Sequence, residues 1–330
     1  FIGYHAAQRW LAEGWRVVGI DAFTEYYDPA LKHDRAARLI SQENYTQIED
    51  RIETSGVLAD IFDRYKPDQV VHLAAQAGVR YSIEAPASYV ASNIQGTFEL
   101  LEAARACPPE RLLLASTSSA FGANTKMPYA ETDKADWQMS FYAATKKATE
   151  AMAHSYAHLY ALPVTMFRFF TVYGPWGRPD MAYFKFVRAM LNGEAIDVYN
   201  RGEMRRDFTY IDDLVEAVRR LADKPPHIGQ SMGDFDSLSP VAPFRIVNIG
   251  KAKPDSLGDF IAQIEQTLEI EAKKTLMAMQ PGDVPATWSD TRLLEALTGY
   301  KASTGLERGI PEFVAWYRSY YCLLYTSPSP

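Results

Sequence analysis

The chain of 330 residues is 47% apolar, which is ample for a full core and excludes an intrinsically disordered protein. Its 34 basic and 41 acidic residues give a net charge of −7 with no block dense in Lys and Arg, so we expect no nucleic-acid partner and no membrane-surface binding. Cys107 and Cys322 lie far apart without metal-ligand spacing, which argues against a disulfide framework and a metal site and favours a reducing compartment, by default the cytoplasm. No stretch approaches the roughly 20 apolar residues that span a bilayer.

Helices and strands are predicted to alternate along the first half of the chain. The spacing of apolar residues predicts helices at 4–13, 29–41, 56–65, 89–106 and 143–160. Short apolar runs between them predict strands at 15–20, 45–48, 69–73, 111–115 and 164–169. Alternation at this spacing is typical of βαβ units, so we predict an α/β fold with a Rossmann-like, doubly wound parallel sheet.

The pattern changes after about Gly174. Turns rich in Pro and Gly, short strands at 196–199 and 244–249, and a helix at 257–268 predict a smaller α+β substrate lobe over residues 174–321. We expect the segment 212–222 to pack back on the first domain, residues 1–173, and the stretch 225–243 to be a surface loop. The first strand of the sheet is expected to lie before Phe1. The tail 322–330 breaks the preceding amphipathic pattern and is interpreted as foreign or disordered.

Gly3 and Asp21 suggest a dinucleotide site. The order glycine, helix, strand, acid matches the back half of a dinucleotide-binding unit, in which glycine lets the backbone approach a pyrophosphate and the acid accepts ribose hydroxyls. An acid at this position repels a 2′-phosphate, so the pattern favours NAD over NADP. One glycine and one Asp also occur at ordinary helix ends and turns, so the pair is weak evidence alone.

Tyr142 and Lys146 stand four residues apart at the start of a predicted helix and therefore face the same side. A neighbouring ammonium stabilises a phenolate, so we expect Lys146 to lower the pKa of Tyr142 toward a range useful for a general base. Such a pair is common by chance on exposed helices. The hydroxyl-bearing residues 116–119, at the end of the predicted strand 111–115, favour a ligand crevice beside it.

Several longer motifs resemble a known family. They are HLAAQAGVRYS at 72–82, STSSAFG at 116–122, GANTKMP at 122–128, YAATK at 142–146, RFFTVYGPWGRPDM at 168–181, RRDFTYIDD at 205–213 and QPGDV at 280–284. Together they resemble the NAD-dependent epimerase/dehydratase family of the extended short-chain dehydrogenase/reductase superfamily, and within it the UDP-glucuronate 4-epimerases. The resemblance covers residues 1–321.

The resemblance implies roles for the residues at matching positions. Tyr142 would be the base, Lys146 would hold the nicotinamide ribose, and Thr117 would assist proton movement at the sugar C4 hydroxyl. A homodimer built on the helices 89–106 and 143–160 is also implied. The residues expected around NAD are Gly3, Asp21, Leu73, Ala75, Asn93, Ser116, Tyr142, Lys146, Phe170 and Val172, and those expected around a UDP-sugar are Arg80, Ser118, Ser119, Thr171, Arg178 and Arg206.

The residues that follow Thr117 separate the reactions of the family. Related 4,6-dehydratases carry Asp-Glu there and related UDP-glucuronate decarboxylases carry Ser-Glu, whereas this chain has Ser118 and Ser119. The resemblance therefore implies 4-epimerisation of UDP-glucuronate to UDP-galacturonate through transient oxidation at C4. Another nucleotide-sugar epimerase, a decarboxylase of the same superfamily and a non-catalytic nucleotide-sugar-binding protein remain as alternatives, and the second lobe argues against a simple oxidoreductase.

Overall fold

The computed structural model describes residues 1–279 and 284–322. Most of the QPGDV motif, residues 280–283, and most of the predicted tail, residues 323–330, lie outside the described residues. Among the helices of the described ranges, none is both long enough and apolar enough to cross a membrane.

The first half of the chain alternates helices and strands as the sequence predicts. The elements are α1 (Ile2–Ala12), β1 (Val17–Asp21), α2 (Pro29–Ile40), β2 (Tyr45–Glu49), α3 (Val57–Tyr65), β3 (Gln69–His72), α4 (Tyr81–Glu84), α5 (Pro86–Tyr89), α6 (Gly96–Ala106), β4 (Arg111–Ala115), α7 (Phe141–Tyr160) and β5 (Val164–Phe169). The one predicted helix at 89–106 is divided, because a π-helical stretch, Val90–Gln95, precedes α6.

The second half begins at the end of β5. Its elements are β6 (Thr171–Tyr173), α8 (Ala182–Leu191), β7 (Ala195–Tyr199), β8 (Arg205–Arg206), β9 (Phe208–Tyr210), α9 (Ile211–Ala222), β10 (Phe244–Ile249), β11 (Asp255–Ser256), α10 (Leu257–Leu268), β12 (Lys273–Met277), β13 (Ala286–Thr287), α11 (Arg292–Thr298) and α12 (Leu306–Tyr317). A further π-helical turn covers Arg318–Cys322.

The strands of the first half, together with β10 from the second half, form two parallel groups. One group has the order β10-β5-β4-β3 and the other pairs β1 with β2. Within the described ranges no strand pairing joins the two groups, and the indole of Trp10 in α1 donates to the Gln69 side chain at the start of β3 across 2.6 Å. Helices lie between successive parallel strands, as the predicted Rossmann-like fold requires.

β10 differs from the sequence interpretation, which placed 244–249 among the strands of the smaller lobe. The structure pairs it in parallel with β5, residue for residue from Phe244 opposite Val164 to Ile249 opposite Phe169. Five of its six residues are buried. A short apolar run fits either sheet, so the tertiary packing decided its place.

The helix α9 also returns to the first half of the chain and packs against α1. Arg9 of α1 pairs with Glu216 of α9 at 3.0 Å, and Arg219 of α9 pairs with Glu13 at 2.6 Å. The two halves therefore share one continuous apolar core, which contains residues from α1, β4, β5, α8, α9 and α12. Phe184 and Phe186, interpreted from the sequence as core residues, are buried in it.

Candidate active site

The carboxyl ends of four parallel strands meet at one edge of the two sheets. Asp21 ends β1, Leu73 follows β3, Ser116 follows β4 and Phe170 follows β5. In doubly wound folds, ligands bind in the crevice at this edge. Four of the sequence-predicted cofactor residues therefore lie at the edge where folds of this kind bind ligands.

The predicted catalytic residues converge at the start of α7. The Ser140 side chain caps this helix by accepting a hydrogen bond from the backbone N–H of Ala143 at 3.1 Å, which fixes its first turn. Tyr142 is half-buried and hydrogen-bonded to Thr117, and Lys146 follows one turn later with a side chain only 3% exposed. The structure thus brings the three predicted catalytic residues together.

The ionisation of Tyr142 differs from the expectation. Burial raises its pKa above the ordinary value of 10.0, and the Thr117 hydrogen bond and the charge of Arg178 offset only part of that rise. Lys146 was expected to lower this pKa, but the described groups that lower it are Thr117 and Arg178, and burial of the phenol outweighs both. Burial lowers the pKa of Lys146 itself to about 8, with the Glu150 carboxylate acting in the opposite direction.

Asn93 joins the loop after β3 to α7. Its amide oxygen accepts the backbone N–H of Gln76 at 2.8 Å, and its amide nitrogen donates to the Gln76 carbonyl at 3.1 Å and to Thr145 Oγ1 at 3.0 Å. Leu73 and Ala75, the predicted NAD contacts, are half-buried in this loop. Asn93 itself is 1% exposed, so its side chain acts mainly by holding the loop in place.

A buried charge cluster built on Glu150 and Arg168 lies near the predicted catalytic residues, and the sequence analysis assigned no role to these two residues. Glu150 Oε1 accepts from Ser116 Oγ at 2.6 Å and from Arg168 Nε at 2.9 Å, and Oε2 accepts from Arg168 Nη2 at 2.8 Å and from Lys147 Nζ at 3.0 Å. The hydroxyl of Ser116, predicted to contact NAD, is therefore engaged by Glu150. The arginine within the largely apolar strand at 164–169 was the available sequence signal.

The polar residues predicted near the sugar occupy two adjacent segments. Ser118 and Ser119 are half-buried in a short 3₁₀ turn, Ser118–Phe121, whose first turn is capped by Thr117 Oγ1 accepting from the Ser119 N–H at 3.1 Å. Thr171 opens β6, and its backbone N–H donates to the Asp207 carbonyl at 3.0 Å. Val172 and Phe170 on either side of it are buried.

The three predicted substrate arginines all have partners in the chain. Arg178 forms a two-bond ion pair with Asp180 at 3.0 and 2.6 Å, and this pairing raises its pKa although burial opposes the rise. The guanidinium of Arg80 lies 5.1 Å from the ring centre of Tyr199. Arg206 donates to the backbone carbonyls of residues 205, 284 and 285.

Arg178 is the arginine whose charge reaches Tyr142. Its partner Asp180 also accepts from the Tyr26 hydroxyl at 3.2 Å, so the loop after β1 and the turn before α8 meet at this ion pair. A half-exposed guanidinium whose charge reaches Tyr142 suits a carboxylate ligand.

The site residues fit NAD. Lys146 is 3% exposed, and a buried ammonium needs hydrogen-bond acceptors, which the hydroxyls of a ribose supply. A Cβ built on Gly3 would lie 3.8 Å from Leu73 Cδ1, so the first turn of α1 adjoins the loop after β3. The carboxylate of Asp21 is exposed at the end of β1. No group of three metal-ligand side chains occurs in the described part of the chain.

Comparisons with known proteins agree with this geometry. Residues 1–236 match the NAD dependent epimerase/dehydratase family. The chain is 50% identical to a probable UDP-glucuronate 4-epimerase of Rhizobium meliloti, over 99% of this chain and 97% of that protein, and 44% identical to UDP-glucuronate 4-epimerase 1 of Arabidopsis thaliana, over 97% and 75%. A crystal structure of the Bacillus cereus UDP-glucuronic acid 4-epimerase with UDP-glucuronic acid and NAD superposes with a TM-score of 0.86 at 29% identity, covering 97% of each chain.

The fold is a parallel sheet with Thr117 shortly after β4 and with Tyr142 and Lys146 on the helix α7, and the relatives match nearly the whole chain. The chain belongs to the NAD dependent epimerase/dehydratase family.

Proposed function

We propose that the protein catalyses the NAD-dependent 4-epimerisation of UDP-glucuronate to UDP-galacturonate. The observation that carries the proposal is the position of Tyr142, which is hydrogen-bonded to Thr117, one helical turn from Lys146 and within reach of the charge of Arg178. A proton-transfer group and a carboxylate-binding group in one crevice fit a uronic acid that reacts at C4. The names of the relatives support the same substrate.

In the proposed mechanism Tyr142 exchanges a proton with the C4 hydroxyl of the sugar. Thr117 bonds the phenol and forms a short path for that proton. Lys146, one helical turn away on α7, is proposed to favour the phenolate by its positive charge. Bound NAD would supply the hydride acceptor for the transient oxidation at C4 and the hydride donor for the reduction of the opposite face. Gly3, Asp21, Leu73, Ala75, Asn93, Ser116, Phe170 and Val172 are the residues proposed to surround it, with Ser116 acting through Glu150 rather than by its own hydroxyl.

The carboxylate of the sugar requires separate control. A 4-keto glucuronate is a β-keto acid, which loses CO2 when its carboxylate can align with the ketone. Arg178 with the hydroxyls of Thr171, Ser118 and Ser119 is proposed to hold the carboxylate away from that alignment. The chain carries no acid at 118 or 119 that would assist dehydration.

Arg206 is proposed to bind the UDP diphosphate, and Arg80 to contact the substrate near the sugar. Arg206 is half-buried on β8, where its bonds to the carbonyls of residues 284 and 285 fix its direction. A guanidinium already oriented by backbone carbonyls loses less conformational entropy when it binds a phosphate.

We further propose that the protein is a homodimer. The helices at 90–106 and 141–160 expose the apolar side chains of Val90, Phe98, Leu159 and Tyr160, a pattern that fits a second copy of the same two helices. Sedimentation of a Phe98→Glu variant is expected to show a monomer. Ile228→Glu, a change at an exposed residue of the 225–243 loop, is the matched control and should leave a dimer.

The test of the reaction is incubation of the protein with UDP-glucuronate and NAD, without added reductant, followed by anion-exchange chromatography and NMR. We expect UDP-galacturonate with no net consumption of NAD. UDP-glucose, which has a hydroxymethyl group in place of the carboxylate, is the matched control and should react far more slowly. A UDP-pentose would instead identify a decarboxylase, and binding without turnover would identify a non-catalytic protein.

A further inference from the structure

Glu150 is a buried carboxylate one helical turn beyond Lys146. It is 2% exposed, and all its hydrogen-bond partners come from the chain itself. On α7 the residues 142, 146 and 150 follow one another at intervals of four, so they lie along one face of the helix. This face of α7 therefore carries a row of three residues, Tyr142, Lys146 and Glu150.

The position of the carboxylate is fixed from two neighbouring strands. Arg168, 1% exposed on β5, forms a two-bond pair with Glu150, and its guanidinium lies 4.4 Å from the ring centre of Phe121. Ser116 at the end of β4 donates to the same carboxylate. These bonds hold the pKa of Glu150 down at about 2 although burial opposes them, so the group is an anion at neutral pH.

The titratable and charged groups that face Tyr142, Lys146 and Glu150 come from several elements. His72 on β3 faces Lys146, but burial and the lysine lower its pKa to about 3, so it is neutral. Tyr142 is influenced by Thr117 after β4 and by Arg178 before α8. Among the described residues, Glu150 is the anion that acts on Lys146 and opposes the desolvation of its ammonium.

Glu150 is also surrounded by charged residues from other parts of the chain. Lys147 on α7 and Arg168 on β5 are its cationic partners. Glu131 acts on Arg168 from the loop before α7 and is itself hydrogen-bonded to β10. In the described part of the chain, Glu131 does not take the place of Glu150 as the anion that acts on Lys146.

We propose that Glu150 is a positioning residue for the reaction: fixed by Arg168 and Ser116, its carboxylate keeps Lys146 in the charged form beside Tyr142. This inference rests on the proposed function. Glu150 touches no reacting atom and acts only through Lys146. Because Lys146 must carry a proton to favour the Tyr142 phenolate, activity is lost when Lys146 deprotonates on the alkaline side, and the anion at 150 sets where this loss begins.

The test compares the wild-type holoenzyme with the Glu150→Gln variant. Two quantities are measured: the titration midpoint of Lys146, by NMR of protein with isotope-labelled lysine, and the pH profile of kcat for UDP-galacturonate formation. We expect the midpoint and the alkaline limb of kcat to move together to lower pH by about one unit or more. An unchanged Lys146 midpoint in a folded variant would overturn the inference.

Asp236→Asn is the matched control. Asp236 and Arg245 form a second buried two-bond pair, between β10 and the loop before it, at 2.9 and 3.0 Å. Removing this carboxylate should lower the thermal midpoint without moving the Lys146 titration. A shift of the same size in both variants would mean that a general loss of packing, rather than the anion at 150, explains the result.

Glu150→Gln leaves Arg168 as an unpaired buried cation, and the single variant can unfold for that reason. The double variant Glu150→Gln with Arg168→Met removes both charges. We expect it to recover thermal stability while the Lys146 midpoint and the alkaline limb stay displaced, and Glu150→Asp to restore them in part. A double variant with a wild-type titration would overturn the inference.

The two proposals fail separately in this design. If the wild-type protein forms no UDP-galacturonate, the proposed function fails, but the Lys146 titration still reports whether Glu150 controls its charge. If the wild-type protein is active and the titration is unchanged in Glu150→Gln, the positioning role alone fails.

Discussion

The two sides of the crevice hold their charges in different ways. On one side, Lys146, Glu150 and Arg168 are at most 3% exposed. Bonds from Ser116 after β4 and from Arg168 on β5 fix the Glu150 carboxylate. On the other side, Arg178 and Arg206 are half-exposed on turns and a two-residue strand of the second half of the chain. We refer to these as the buried side and the open side.

The two sides differ in how strongly one charge acts on another. On the buried side, water is excluded, so one charge changes the ionisation of the next by a large amount, as the low pKa of Glu150 shows. On the open side, solvent screens the charges, and each arginine rests on a partner that a ligand anion can supplement. Changes on the buried side should therefore alter chemistry and pH dependence, whereas changes on the open side should alter affinity.

The largest expected effect comes from Tyr142→Phe. Loss of the proton-transfer group should lower kcat by about 10²- to 10⁴-fold. The thermal midpoint should change little, because the aromatic ring keeps its edge contact with Tyr89, whose centre lies 6.0 Å away. Assays of UDP-galacturonate formation and thermal melts check this. Tyr156→Phe, on the same helix, is the control and should retain wild-type kcat; an active Tyr142→Phe enzyme would assign the base elsewhere.

Glu131→Gln tests the energetic consequence of burial beside Arg168. Burial raises the pKa of Glu131 from 4.5 to about 7, so the folded state holds its proton over this range while the unfolded state releases it. The contribution to stability is therefore complete below pH 4.5 and is lost as pH rises to about 7, by about 3 kcal/mol. Relative to wild type, the variant should gain thermal stability at pH 8 and not at pH 4.5. An equal offset at both pH values would contradict this reasoning.

Arg178→Ala tests the open side at the carboxylate. A hydrogen bond to a charged group contributes about 1.5–3 kcal/mol, so KM for UDP-glucuronate should rise about 10- to 100-fold. Binding of UDP-glucose, measured by calorimetry, should change much less because it has no carboxylate. Arg188→Ala, at an exposed arginine of α8, is the control. Equal losses for both ligands would place Arg178 at the UDP group instead.

Arg206→Gln should give the smallest effect. We expect the affinity for UDP-glucuronate and UDP-glucose to fall by a similar factor, about tenfold, because both carry the diphosphate that Arg206 is proposed to bind. The difference from wild type should shrink at high salt, since the residue is open to solvent. Arg205→Gln, at the exposed neighbour, serves as the control. A loss confined to the uronate would contradict the assignment.

Local elements followed closely from the sequence. The strands at 111–115 and 164–169 and the helix at 257–268 agree residue for residue with β4, β5 and α10, because a buried strand and an amphipathic helix each leave a periodic pattern. The sequence did not show which strands pair with each other. The run at 244–249 was recognised as a strand, but only its hydrogen bonds to β5 place it in the parallel sheet.

The site, too, was predicted from the sequence only in part. The spacing of Tyr142 and Lys146 predicted a shared helix face, and the structure adds the Thr117 hydrogen bond that the spacing could not show. Asp180, two residues from Arg178, was visible in the sequence but not as a partner. The roles of the NAD and substrate residues stay predictions that the variants above test.

The sequence by itself determined the alternation of strands and helices, the hydroxyl-rich end of β4 and the tyrosine–lysine spacing, since each depends on residues close together in the chain. The tertiary structure alone decided the ionisation of the site. Glu150 on α7 resembles any helical acid until Arg168 from β5 and Ser116 from β4 enclose it. Burial and charge pairing arise between distant segments, so the pKa values of Tyr142, Lys146 and Glu150 could not be read from local pattern.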